Sequence, residues 1–179
     1  MIKTWLNRMR GGERCPPRKP FSKIAWSWLG AFVGIYAVAL LSRLTSTNLF
    51  LIGSFGASAV LIYGAPQVEF AQPRNLLGGH IISAAIGVTV FKLIPGDTAL
   101  LGALAVSLSI VAMHFTRTLH PPGGATALIA VIGGSRVHDI GYLFVLTPVA
   151  TGALVMLLVA LAVNNLSRNP RRHYPRYWF

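Results

Sequence analysis

The chain alternates long apolar runs with short polar breaks. No Asp, Glu, Lys or Arg occurs in 24–42, 44–68, 75–91, 98–116, 118–135 or 140–167. About 20 mostly apolar helical residues cross a bilayer core. The pattern predicts full helices over 24–42, 76–94, 99–117 and 141–163, with Lys92 snorkelling to the interface and a kink at Pro148. Two further apolar segments, 49–64 and 121–134, are short and interrupted by Gly, Ser or Pro.

The short segments resemble each other. Gly56-Ala57-Ser58-Ala59-Val60-Leu61-Ile62 aligns with Gly124-Ala125-Thr126-Ala127-Leu128-Ile129-Ala130. Each follows a helix predicted to end at an Arg, Arg43 or Arg117, and precedes another full helix. The expected fold is therefore an all-α, polytopic membrane bundle. It has four full transmembrane helices and two short intramembrane helices in an internal two-fold repeat. The expected organisation is a basic tail at 1–23, a transmembrane domain at 24–167 with halves of about 24–95 and 98–167, and a basic tail at 168–179. If the short segments dip in and return, there are four crossings and Lys92 lies on the side of the tails. If they cross, there are six and the halves are inverted. Arg74 and Arg117 then share the side of the tails, and Arg43, Lys92 and Arg136 face the other.

Composition supports a membrane class. Hydrophobic residues make up 54% and charged residues 11%, against about 25% charged in soluble domains, which excludes a water-soluble domain. The net charge of +12 lies mostly at the ends: Lys3, Arg8, Arg10, Arg14, Arg18, Lys19 and Lys23 at one, Arg168, Arg171, Arg172 and Arg176 at the other. The positive-inside rule puts both ends in the cytoplasm, in a cell's inner membrane. An anionic leaflet accounts for the basic tails, so no nucleic-acid partner is expected. The first 23 residues lack the apolar core of a cleavable signal. The lone Cys15 excludes an internal disulfide and reads as a free thiol. Trp26, Trp28, Tyr174, Tyr177, Trp178 and Phe179 read as interfacial anchors. Small-residue faces at Gly102-Ala103 and Gly152-Ala153 allow packing within the chain or in a homo-oligomer.

The most informative stretch is Arg117-Thr118-Leu119-His120-Pro121-Pro122-Gly123-Gly124-Ala125-Thr126-Ala127. Prolines suit the first turn of a helix, so one helix is expected to end near Leu119 and another to begin at Pro121. The N–H groups of Gly123, Gly124, Ala125 and Thr126 are then expected to be free at a positive helix end, which favours a small anion. The Thr126 hydroxyl, His120 and Arg117 lie nearby. Ser54, Phe55, Gly56 and Ser58 offer the same chemistry in the first repeat. Short interrupted segments at matching places point to a transport site, since unpaired backbone in lipid needs protein or water around it. Against this, the small residues serve close helix packing and His120 caps a helix. Arg74 reads either as an anion-attracting vestibule residue or as an interfacial anchor. His80 is an intramembrane ionisable residue and is placed near the pathway.

Two rival readings stand. His80, His114 and His120 could ligate haem or a metal, although no intramembrane Cys, Asp or Glu completes a shell. Alternatively, the chain is a non-transporting membrane scaffold. No GxSxG, HExxH or paired carboxylate appears, so no enzyme activity and no cofactor are expected.

From about Leu51 to Pro175 the sequence resembles the HPP family of integral membrane proteins, named for His-Pro-Pro. The resemblance rests on Phe55-Gly56-Ala57-Ser58-Ala59-Val60-Leu61, on Ala71-Gln72-Pro73-Arg74-Asn75 with Gly78-Gly79-His80, on 116–127, and on Asn164-Asn165-Leu166. Many relatives have Ala where this chain has Gly123. Members in chloroplasts and cyanobacteria are implicated in nitrite transport. The resemblance therefore implies a transporter or channel for a small inorganic anion, nitrite first.

Overall fold

The computed structural model describes residues 2–10, 12–45 and 50–179. The described residues form eight helices and two single 3-10 turns, Glu69–Ala71 and Pro170–Arg172, with no strand: α1 Ile2–Arg8, α2 Phe21–Leu44, α3 Gly53–Gly64, α4 Pro73–Leu93, α5 Thr98–Phe115, α6 Pro121–Ile132, α7 Ser135–His138 and α8 Val145–Leu166. Of these, α2, α4, α5 and α8 are long and apolar enough to cross a membrane. The start of the first short segment, Leu49, falls outside the described residues. The break expected in the last helix lies at Thr147-Pro148, where Thr147 leaves helical geometry (φ −135°, ψ 114°).

Contacts between helix ends fix the direction of each element. At one level, the α2 residues Lys23 and Ser27 meet Arg172, which also reaches Tyr63 at the end of α3. At the opposite level, the Phe50 N–H donates to the Ser42 hydroxyl near the end of α2. So α3 returns across the bundle. Arg74 and Asn75 open α4 against the carbonyls of Thr116 and Leu119, back at the first level. The far ends of α4 and α6 meet through His138 of α7, whose ring stacks on Phe91 at 3.6 Å and whose Nε2 donates to the Val131 carbonyl. Asn164, near the end of α8, donates to the Ile62 carbonyl at the first level.

All six membrane-length and short helices therefore alternate in direction, three to each half, and the halves are inverted. Arg74 and Arg117 share a side with the basic ends; Lys92 and Arg136 face the other. Twelve helical residues rise only about 18 Å, short of a core of about 30 Å. Extended and turn residues complete the traverse at either end of α3 and α6.

The centre of the bundle is α4, packed against α5 and α6. The approach of α4 to α6 is close because it is built on glycine. A Cβ on Gly123 would lie 2.8 Å from the Ser83 hydroxyl and 2.9 Å from the Gly79 carbonyl. The small residues Gly102 and Gly152 also serve packing within the chain, against Leu128 and the Phe55 ring.

Residues 168–179, expected to be a tail, are mostly exposed, but two of them anchor the segment to the bundle. Arg172 is buried and donates to Tyr63 O and Asn164 Oδ1, both at 2.8 Å. Tyr174, expected at the interface, is buried and donates its hydroxyl to the Ala71 carbonyl at 2.7 Å. A buried guanidinium needs several acceptors in place of water; two helix ends and a side-chain amide supply them to Nη1 and Nη2, while Nε has no partner.

Candidate functional site

The site grows from the break between α5 and α6. Helix α5 ends at Phe115, four residues before the expected end at Leu119. Arg117 takes a left-handed conformation (φ 54°), the Arg117 N–H donates to the His114 carbonyl, and the Thr118 N–H donates to the Met113 carbonyl. These two bonds define a Schellman terminus, with an arginine where glycine is usual. The conformation costs a non-glycine residue roughly 1–2 kcal/mol.

His120 is the N-cap of α6, and Pro121 and Pro122 fill its first two positions. This corrects the expectation of four free N–H groups. The two prolines carry no N–H, and the Gly123 N–H donates to the His120 carbonyl at 2.8 Å. The N–H groups of Gly124, Ala125 and Thr126 already belong to the helical ladder. The start of α6 is thus nearly empty of donors, and Gly123 serves packing. Nor do the two short helices meet tip to tip. Ser58, in the second turn of α3, lies against His120, while Ile52 before α3 packs on the cluster that holds Ala130 near the end of α6. The short helices run antiparallel, side by side.

What the fold brings together is a chain of polar side chains in an apolar interior. Ser58, His80, His120 and Thr126 are all fully buried. The Ser58 hydroxyl lies 2.8 Å from Nε2 of both His80 and His120. His80 Nδ1 lies 2.7 Å from the Thr126 hydroxyl, and His120 Nδ1 lies 2.7 Å from the Phe70 carbonyl. The imidazole centroids are 4.9 Å apart, and the Phe55 ring meets His80 edge-on at 5.3 Å.

The bonding pattern assigns the protons. A carbonyl only accepts, so His120 carries its proton on Nδ1 and its Nε2 is a lone pair. Ser58 must then donate to His120 Nε2; donating to the Ser54 carbonyl at 3.1 Å would leave two lone pairs face to face. Ser58 has one proton, so His80 donates from Nε2 to Ser58 and accepts at Nδ1 from Thr126. With both rings neutral, the bonds run one way: Thr126 to His80 to Ser58 to His120 to Phe70.

Beside this chain a cleft of about 300 Å³ opens on the side of the basic ends, lined by Glu69, Arg74, Arg117, Tyr177 and Phe179. Arg74 is steered by a bond from Nη2 to the Thr116 carbonyl at 2.7 Å. Partial burial and the Glu69 carboxylate hold the Tyr177 phenol above its ordinary pKa, so it is a neutral hydroxyl there. Three buried polar atoms near the cleft and the histidines have no partner: Arg74 Nε, Asn75 Oδ1 and Ser54 Oγ. Native interiors hold few such atoms, and each needs an occupant or a function.

The sequence-selected residues therefore divide. Phe55, Ser58, His80, His120 and Thr126 converge, and Ser54 is buried one turn from Ser58. Arg74 and Arg117 line the cleft. Gly56 and Ala125 face outward, and Pro121, Gly124 and Ala125 border an apolar groove with Val106 and Leu128. Pro122 and Gly123 are buried in helix packing. His114 lines that outer groove, so the three histidines of the metal reading do not converge. Among the described residues no three His, Cys, Asp or Glu side chains group as metal ligands. The sequence reading missed Phe70, Glu69 and the orphaned Asn75. The carbonyl of Phe70 leaves no trace in side-chain pattern, but Asn75 inside the Gln72–Asn75 stretch was within reach.

The class these features define is a polytopic helical membrane protein with a polar chain through its centre. The chain belongs to the HPP transmembrane family, whose model matches residues 16–175. It is 48% identical over 98% of its length to one transmembrane protein of Dictyostelium discoideum and 46% identical over 99% to a second. It spans 57% and 63% of the length of these relatives. No solved structure matches it.

Proposed function

We propose that this protein is a transporter or channel for a small inorganic anion, nitrite foremost, in a cell's inner membrane with both basic ends in the cytoplasm. The observation that carries the reading is that the segment Glu69–Phe70 joins the Arg74–Arg117 cleft to the buried Ser58–His80–His120 chain, Glu69 lining the cleft and the Phe70 carbonyl holding His120. Two arginines at a cleft mouth raise the local concentration of anions. The cleft is large enough for a triatomic or tetratomic oxyanion. Arg74 Nε and the Ser54 hydroxyl are donors without acceptors that a passing anion could use. Arg117 keeps a backbone conformation that glycine would hold more cheaply, which fits selection for its charge.

The chemistry is passage, not reaction: no bond of the anion breaks. Arg74 and Arg117 attract and orient it, the histidines and hydroxyls replace its lost water, and the closed α4–α6 packing beyond them prevents free leakage. The purified full chain in liposomes, assayed for uptake of nitrite, nitrate, formate and chloride, tests this. Uptake of nitrite well above that of empty liposomes is expected. Uptake of none of the four would remove the reading.

A further inference from the structure

The same chain of side chains bears on what travels with the anion. In the neutral arrangement the His80 Nε2 N–H is spent on the Ser58 oxygen, and the Ser58 hydroxyl is spent on the His120 Nε2 lone pair. An anion arriving beside the rings would find every donor of the chain already spent, and only lone pairs left to face it. The Phe70 carbonyl blocks the simplest remedy. His120 cannot move its proton from Nδ1 to Nε2 without turning the Nδ1 lone pair against the carbonyl oxygen at 2.7 Å.

We propose that an anion takes its place beside His80 and His120 only together with one proton, which binds His120 Nε2. This inference rests on the transport reading above. An N–H bond forms at Nε2 with a proton drawn from water in the cleft, and it breaks when the anion leaves. Nothing is oxidised or reduced. Protonation acts twice: it makes Nε2 a charged donor, and it frees the Ser58 hydroxyl to donate to the anion. Each charge alone is costly in the buried site, and together they offset. Binding of either one therefore promotes binding of the other.

None of the groups in direct contact with His120 carries a charge. His120 faces Ser58 from α3, His80 and Gly79 from α4, Thr118 from the linker and the Phe70 carbonyl. Charged groups in the cleft on that side are Glu69, Arg74 and Arg117, with Arg172 and Arg176 packed nearby on the same side. The two cleft arginines oppose a cation on His120 until an anion has passed them.

Two readouts on the full chain test the inference. In protein labelled with 15N-histidine at fixed neutral pH, His120 is expected to show a protonated Nδ1 and a bare Nε2. Sodium nitrite should then add an N–H at Nε2, with uptake of about one proton per bound anion. A protonated Nε2 before nitrite is added, or nitrite binding without proton uptake, would overturn it. In liposomes with voltage set by potassium and valinomycin, and protein-free liposomes subtracted, nitrite entry should acidify the lumen and ignore voltage. Entry that follows voltage without acidification leaves transport standing and ends this inference. No binding and no entry of any anion ends both.

Discussion

Ser58 and Thr126, which occupy the same position in the two aligned repeats, hold opposite nitrogens of a single imidazole. The Ser58 hydroxyl lies 2.8 Å from His80 Nε2 and the Thr126 hydroxyl 2.7 Å from His80 Nδ1. The inverted repeat thus closes around a histidine that has no counterpart in the aligned segments. Local symmetry supplies the clamp, and one asymmetric residue supplies the chemistry.

Loss of the Ser58 hydroxyl leaves a buried N–H and a buried lone pair without partners. Ser58→Ala is expected to lower stability by about 1–3 kcal/mol, read as a fall in the unfolding temperature of the detergent-solubilised protein. Thr126→Ser, which keeps the hydroxyl, is expected to cost much less.

Neighbouring glycines of the His-Pro-Pro-Gly-Gly stretch should behave in opposite ways. A Cβ on Gly123 meets the Ser83 hydroxyl and the Gly79 carbonyl, whereas one on Gly124 meets only Val106 at 3.7 Å. Gly123→Ala should destabilise by about 1–3 kcal/mol through overpacking. Gly124→Ala should be neutral or stabilise by up to about 1 kcal/mol through helix propensity. Thermal unfolding of the two variants side by side checks this; equal effects would contradict the packing.

Arg117 separates backbone cost from charge. Arg117→Gly relieves the left-handed strain and is expected to raise stability by about 1 kcal/mol. The same change removes half of the cationic pair at the cleft, so nitrite uptake at low ionic strength should fall several-fold. Uptake unchanged in Arg117→Gly would show that the cleft is not on the pathway.

The direction of the helices predicts which residues share a side. With Cys15 replaced by serine, a cysteine at position 74 should react with a membrane-impermeant thiol reagent from the side of the basic ends, and one at position 92 from the other. Both reacting from one side would contradict six alternating helices.

Much of this was legible along the chain. Runs without Asp, Glu, Lys or Arg locate the long helices, because a charge in lipid is costly enough to leave a visible gap. Pro121 marks a helix start, and the paired Ser58 and Thr126 mark the repeat. The meaning of the glycines was not legible, since packing and ligand approach both call for a missing side chain. The expectation of free N–H groups from Gly123 to Thr126 failed on a positional detail: prolines fill two of the donor positions at the start of α6. Arg172 reads as one more tail cation beside Arg171, because only the fold shows that acceptors from α2, α3 and α8 surround it.

The most direct measurement is nitrite uptake into liposomes carrying the wild-type chain or His120→Ala, with folding of both checked by thermal unfolding. The account predicts uptake by the wild type clearly above empty liposomes and at least about tenfold lower uptake by the folded variant, the loss of one charge-assisted hydrogen bond in the pathway. Equal uptake by the two proteins, or wild-type uptake no faster than empty liposomes, would contradict it.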